Sequence, residues 1–476
     1  MGRLPKRLLF LFTLGGLGFL GLSAFVRHSE IRTAQITRSH PPQDTELTGI
    51  ANVSVFDGQE LLRDRDVLLR GANIVSVTEA GSQPLPAEAL RIDGNGKTLL
   101  PGLIDSHAHL LTAGAPPWGR FLPRTDANAR AMLYAGVTSV LVAQSGADED
   151  QLIKQGETEH AAVPHLFPSG PGLTAPGGHP IPFVRALIPW PFSSFVISRQ
   201  PIAATVDEAK SQVSLIHGRH HPPLFKIFFD AIPKGAPHLS RAVLEATVKA
   251  ARELGMRPVV HIGSSADMVT AAEVGVALLM HPPSSDLLTD EQVATLAKIG
   301  TPFVTTMRTL LAADEVVRTG GTPLERESMD ARLFTSFASR PQGFAIPGFE
   351  QMEKEFPMAA ARMQENVQRL VRAGVPFFVG SDTGVFGVFP GSSLHGEILA
   401  LARAGIKPAM ILRSATSAPA AFLDPTLRFG RVAPGQRADL LLVRGDPVAD
   451  LHTLSKIEEV WLSGMRLHRQ PVTQQR

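Results

Sequence analysis

The chain has 476 residues, with 46 Lys or Arg, 44 Asp or Glu and no Cys. That length suits one large barrel with a small satellite, or two to three ordinary domains, and 44% hydrophobic residues exclude global disorder. A net charge of +2 argues against a nucleic-acid binder, and the lack of Cys rules out disulfides, thiolate metal sites, iron–sulfur clusters and Cys nucleophiles. Any metal must be held by His, carboxylates or a rarer ligand.

Residues 1–26 stand apart. Arg3, Lys6 and Arg7 precede an uncharged run from Leu8 to Val26, whose 19 residues are about enough to cross a bilayer. Positive charge before the run predicts a cytoplasmic N-terminus and an exported remainder, periplasmic in a bacterium. An uncleaved membrane anchor is expected. A cleaved signal peptide is the rival, although Leu22 suits a small-residue cleavage site poorly. Residues 27–46 are polar, contain Pro41-Pro42 and read as a linker.

Residues 47–98 alternate in strand fashion, as in ANVSVFDG, RDVLLRG and ANIVSVTE. Residues 427–470 do the same in ADLLLVRGD and EEVWLSGMRL. The two flanks are expected to join into one small β domain.

Residues 99–426 repeat a strand–helix phrase. Gly136, Gly255, Gly275, Gly300 and Gly374 each close a helical stretch, as expected of a residue that enters the left-handed region freely. The strands after them read TSVLVA, RPVVHI, VALLMH, TPFVTT and VPFFVGSD. Thr289 with Gln292 forms a capping box before Gly300. Val243, Leu244, Thr247, Val248, Ala251 and Leu254 make an apolar helical stripe before Gly255. Adding Leu99–Ser106, His165–Ser169 and Leu224–Phe229 gives eight strands. Runs such as LFKIFF suit parallel strands buried on both faces. The prediction is an α/β fold with a TIM (β/α)8 barrel, and a doubly wound sheet is the alternative.

Active sites of such barrels lie at the C-terminal ends of the strands. His107 and His109 end the first strand in IDSHAHL, and their i, i+2 spacing sends both imidazoles to one side. Lys226 sits in the fourth strand, His261 ends the fifth, His281 the sixth and Asp382 the eighth. One such His is an ordinary core or surface residue; four at this phase predict a metal site. Lys226 is the odd member, because a bare ammonium repels metal cations. Buried, it can lose its proton, and the neutral amine can add carbon dioxide to give a carbamate that bridges two cations. An ion pair with Asp230 is the alternative.

PGLIDSHAHL, AGVTSV, GLTAPGGHP, the Lys strand, the two single-His strands, GSDTG and ATSAPAAFL…GRVAPGQRADLLLV together resemble the amidohydrolase superfamily. The likeness runs from about residue 47 to 465 and points toward its imidazolonepropionase-like and Xaa-Pro dipeptidase-like members. The resemblance implies a binuclear centre. His107, His109 and Asp382 hold one metal, His261 and His281 the other, and carboxylated Lys226 bridges them. Strand five reads HIGS where many relatives carry a second His two residues later, and strand six reads MHPP where EHG-like sequences are common. These departures bear on the substrate more than on the ligands.

The ligand set predicts a water ionised between two divalent cations, with zinc as the default, and attack of hydroxide on a carbonyl. Asp382 then serves as general base and general acid. The expected substrate is a small amide or short peptide with a free carboxylate. Ester or lactone hydrolysis needs the same hydroxide, and a non-catalytic extracytoplasmic scaffold is the alternative of a different class. A homo-oligomer is compatible with the sequence.

Other residues have weaker claims. His179, in GLTAPGGHP, faces the same end and could contact the substrate carbonyl or carboxylate, or simply hold its loop. Arg308 could clamp a substrate carboxylate or make an ion pair. His217, His220 and His221 precede strand four and read as a solvated loop at the opposite end. His395 and Glu397 read as structural. Residues 181–197, IPFVRALIPWPFSSFVI, are too apolar for an ordinary exposed loop. They suit an apolar substrate pocket, a membrane contact, or packing against the insertion 307–356.

Overall fold

A computed structural model describes residues 30–474 except 39–42, 44, 120, 123, 159–160, 425 and 427. The Leu8–Val26 run lies outside the described residues. Among those described, no helix is long and apolar enough to cross a membrane.

The fold is α/β, with eight parallel strands in two sheets. Strands one to three are Leu103–Ala108, Val137–Val142 and His165–Pro168. Strands four to eight are Leu224–Phe229, Arg257–Ile262, Leu278–Met280, Phe303–Val304 and Phe377–Phe378. Every neighbouring pair within these sheets is parallel, and the strands alternate with helices. The five glycines expected to close helices all have φ between +76° and +85° or close to it, Gly255 at 77° and Gly275 at 85° among them. The Thr289–Gln292 capping box forms as expected, and the helix Arg241–Glu253 buries its predicted stripe, although Leu254 is exposed.

Backbone hydrogen bonds connect the two sheets at both of their edges. Lys226 N donates to Ser169 O at 2.8 Å, and Leu173 N donates to Lys226 O at 2.9 Å. On the other side, Ser106 N donates to Val379 O at 3.0 Å, and Asp382 N donates to His107 O at 2.7 Å. One apolar cluster takes Ile104, Leu141, Phe167, Leu224, Val259, Leu278, Val304 and Phe378, a residue from each of the eight strands.

The flanks share a third, nine-stranded sheet. Gln35–Arg38, Leu47–Phe56, Leu61–Arg70, Asn73–Glu79, Leu90–Asp93 and Lys97–Pro101 join Leu440–Arg444, Ile457–Leu462 and Met465–Gln470. Two boundaries differ from the sequence expectation. The stretch Leu99–Ser106 is not one strand: Lys97–Pro101 belongs to the nine-stranded sheet, and the chain crosses at Gly102 into strand one. A Cβ on Gly102 would meet the Thr138 side chain at 2.2 Å, so only glycine lets the chain cross there. Part of the supposed linker is also ordered, because Gln35–Arg38 pairs antiparallel with Met465–Gln470.

Asp439 ties the nine-stranded sheet to strand three. Its carboxylate lies 3.2 Å from His165 Nε2 and accepts from Arg437 Nε at 2.5 Å and Ser463 N at 2.7 Å. Burial alone would raise its pKa, but His165 and Arg437 hold it down at about 2. A carboxyl depressed on folding contributes stability above its unfolded pKa, and that stability disappears as pH falls through the folded value. Asp439→Asn is therefore expected to lose about 2 kcal/mol at pH 7. The gap to the parent should narrow below about pH 4. Urea midpoints at pH 7, 5 and 3 check this; a gap independent of pH would contradict the ionic account.

Candidate metal centre

Strand one reaches the site through an irregularity. Ile104 belongs to the inner apolar cluster, yet His107, an odd number of residues later, also faces inward. Regular alternation forbids this, and the pairing register with strand two shifts between Asp105 and Ala108. Asp105 anchors the irregular stretch, accepting from His107 N at 3.2 Å, Ser381 N at 2.9 Å and Ser381 Oγ at 2.5 Å. Burial pushes the Asp105 carboxyl up to about 7.

Strand eight approaches strand one closely. A Cβ on Gly380 would lie 2.4 Å from Val304 Cγ1 and 2.9 Å from His107 N, so the first glycine of GSDTG is needed for that approach. Asp382 follows with φ 57°. Its Oδ1 lies 3.2 Å from His107 Nε2 and 3.3 Å from His109 Nε2, and the two Nε2 atoms are 3.4 Å apart. The His107 ring also packs against His281, with centroids 4.4 Å apart. His281 packs against His261 at 4.3 Å, and His261 against His179 at 4.6 Å.

The structure thus brings His107, His109, His261, His281 and Asp382 together and adds His179 to the row. Two groups have ligand atoms within 4.8 Å of one another: His107, His281 and Asp382, and His179, Asp230 and His261. This grouping differs from the sequence expectation, which placed His281 with His261. The sequence also assigned Asp230 only a pairing with Lys226. Instead, both Asp230 oxygens lie 3.1 Å from His179 Nδ1. Its place just past strand four, in LFKIFFD, was the available signal.

Burial sets the protonation of the cluster. It lowers His107 to about 4, and it lowers His261 and His281 well below the ordinary imidazole value, with neighbouring imidazoles adding to the effect. The rings are therefore neutral at pH 7, the form that binds metal. Burial opposes charge on Asp382 as well, but His107 and His109 hold its carboxyl well below the usual range. Lys226 is 1% exposed, and desolvation lowers it to about 8. Its Nζ donates to Met280 Sδ at 3.1 Å and lies 4.9 Å from the Phe228 ring.

The remaining sequence candidates sit as follows. The Arg308 guanidinium donates to Glu315 at 2.6 Å, to Glu325 at 3.2 Å and to Ser393 at 3.3 Å, so the protein's own carboxylates take the place expected for a substrate. Glu397 accepts from Met307 N and Arg308 N at 2.9 Å each, and His395 Nε2 meets Ala135 O at 2.8 Å, both structural contacts. His217 and His220 are not in a loop: they lie in the last turn of the helix Val206–His220, and His221 is its left-handed cap.

The profile of the amidohydrolase family matches residues 98–467. The chain belongs to the amidohydrolase family. Similarity to the imidazolonepropionase of Salinispora arenicola extends over 432 residues at 25% identity, 85% of this chain and 91% of that one. The imidazolonepropionase of Streptomyces coelicolor is 36% identical over 106 residues, 21% of this chain and 25% of that protein. Among solved structures, a prolidase complexed with N-methylphosphonate-L-proline superposes with a TM-score of 0.69 at 24% identity, covering 89% of this chain and all of that one. The family makes the chain a hydrolase, and its α/β fold with parallel sheets fits that membership.

The donor set fits a metal. His281 Nε2 is buried with no hydrogen-bond partner among the described residues, a costly arrangement unless something else engages it. The other nitrogen of His281, Nδ1, meets Thr306 Oγ1 at 2.7 Å, a contact that fixes the ring. Sequence reading passed over Thr306 because a threonine ending TPFVTT looks like any strand-end hydroxyl. Thr306→Val keeps the shape at φ 46° and removes the hydrogen bond. It is expected to weaken metal affinity by about 10–100-fold, read by chelator competition. Unchanged affinity would show that Thr306 does not orient a ligand.

Proposed function

We propose that this chain is a metal-dependent amidohydrolase with a binuclear centre at the C-terminal ends of a closed (β/α)8 barrel. The observation that carries the reading is the convergence of His107, His109, His261, His281 and Asp382 from four strands, with buried Lys226 beside them. The hydrogen bonds at both sheet edges and the eight-strand apolar cluster support barrel closure. The nine-stranded sheet supports a composite β domain built from both flanks.

His107, His109 and Asp382 would hold one divalent cation, with zinc as the default, and His261 and His281 the other. Divalent cations held by these residues would supply a lowered water pKa and a polarised carbonyl. Lys226 is the proposed bridge. Burial lowers it to about 8 against the pull of Asp382 and Asp230, and its neutral amine would take up carbon dioxide as a carbamate. The Asp382 carboxylate, held charged beside His107 and His109, would take a proton from the attacking water and return it to the leaving nitrogen. Asp230 fixes the Nδ1 end of His179, leaving Nε2 to meet the substrate carbonyl or carboxylate. The proposed substrate is a small amide or short peptide. The family and the names of the imidazolonepropionase and prolidase relatives support carbon–nitrogen bond cleavage. Ester or lactone hydrolysis would use the same centre. The N-terminal run is proposed to anchor an extracytoplasmic enzyme.

Elemental analysis of the full chain purified without chelator is expected to find two metal equivalents, falling to one or none in Lys226→Ala. One equivalent, unaffected by that substitution, would eliminate the bridged centre. No metal even after reconstitution would favour the scaffold. On a panel of amides and esters matched in acyl group, amide turnover should dominate. His179→Asn should lower kcat/KM there by about 10–100-fold while leaving metal content unchanged. A loss of metal instead would make His179 a ligand.

A further inference from the structure

The stretch 181–197 holds two short helices, Ile181–Leu187 and Phe192–Ile197. Its first half packs inward. Phe183 stacks near Phe349 of the long insertion with centroids 4.2 Å apart, and it lies 5.4 Å from the His179 ring. The second half does not. Trp190 is 79% exposed, Phe192 68%, Phe195 59% and Val196 40%. Four large apolar side chains at one tip form a patch that a chain in water has every reason to bury.

Two independent observations say what covers it. The first is charge. No acidic residue occurs between Ala161 and Val206, while Arg185 and Arg199 flank the aromatic residues. The Arg199 guanidinium lies 3.4 Å over the Phe195 ring and donates to Phe195 O at 3.1 Å. Aromatic residues bordered by arginine, in a segment without acids, match the headgroup layer of an anionic membrane. The second is where the chain enters the fold. Residues 30–34 run along 328–332: Ala34 N donates to Ser328 O at 2.8 Å, Arg32 N to Asp330 at 3.2 Å, and Arg332 donates to Glu30 O. The helix Ala331–Ala338 continues from there, Phe337 and Phe344 both pack on Trp118, and Phe349 reaches Phe183. A single insertion therefore contacts both the first described residues of the chain and the inward-packed half of the 181–197 stretch.

We infer that the tip Trp190–Val196 docks into an anionic phospholipid surface, beside the loop that carries His179. The inference rests on the proposed anchor only for how the chain reaches a membrane. The full chain is reconstituted into vesicles of phosphatidylcholine and phosphatidylglycerol with brominated acyl chains, and tryptophan emission is compared with that of Trp190→Phe. The difference spectrum belongs to Trp190. It is expected to be blue-shifted and lost to bromine quenching, and the loss should lessen in Arg185→Glu/Arg199→Glu. Emission open to acrylamide but untouched by bromine would overturn the proposal, leaving a solvated tip. Emission shielded from both quenchers would overturn it in favour of a second copy or a folded-over segment. Alkaline carbonate washing reads the anchor separately. A chain that washes off has lost the anchor reading, while bromine quenching measured before the wash still decides the tip.

Discussion

The site depends on keeping nitrogen bases out of water. His107, His261 and His281 pack ring on ring with Lys226 close by, and if several were protonated together their repulsion at such distances would be severe. Burial settles the matter by holding the imidazoles neutral and Asp382 charged. The result is a cluster of neutral imidazoles with the Asp382 carboxylate among them, a donor set that suits a cation. The close strand contact at Gly380, the irregular register after Asp105 and the Thr306 hydroxyl all serve to hold that cluster.

Much of this was legible in the sequence, because strand-end chemistry follows from strand rhythm. A glycine after each helix dates the next strand, and the polar residue that closes the strand is then a site candidate. His107, His109, His261, His281 and Asp382 were placed that way, and the structure brings them together. The errors have definite physical sources. The Leu99–Ser106 run is apolar throughout, so nothing in its pattern marks the crossing at Gly102 from one sheet to another. Gln35–Arg38 is polar enough to pass for linker, because its edge position demands backbone pairing and little burial. Which imidazoles lie nearest one another also depends on ring orientation, and Thr306, 25 residues further along the chain, fixes that of His281. Sequence spacing carries no such information.

Arg308 shows how a plausible functional residue can be claimed by structure. A guanidinium buried beside strand seven must be paired, and Glu325, almost fully buried, and Glu315 pair it. Both acids come from helices of the insertion, Ala312–Thr319 and Pro323–Ser328. Glu397, on the helix Ser392–Arg403, grips the adjacent backbone amides. The turn after strand seven is thus clamped from two sides, and that turn carries Thr306, which orients His281.

The insertion consequently acts on the site from two directions. Its early helices fix the Thr306 turn through Arg308, and its Phe349 braces Phe183, which touches the His179 ring. His179 is held from the other side by Asp230, itself 3.8 Å from His261. A load applied at the exposed tip would therefore pass through Phe183 to the His179 ring, and through Phe349 to the insertion that holds the Thr306 turn. If the tip meets a lipid surface, that geometry puts the His179 ring and the segment leading to the tip in one packing unit, because Phe183 packs on both His179 and Phe349.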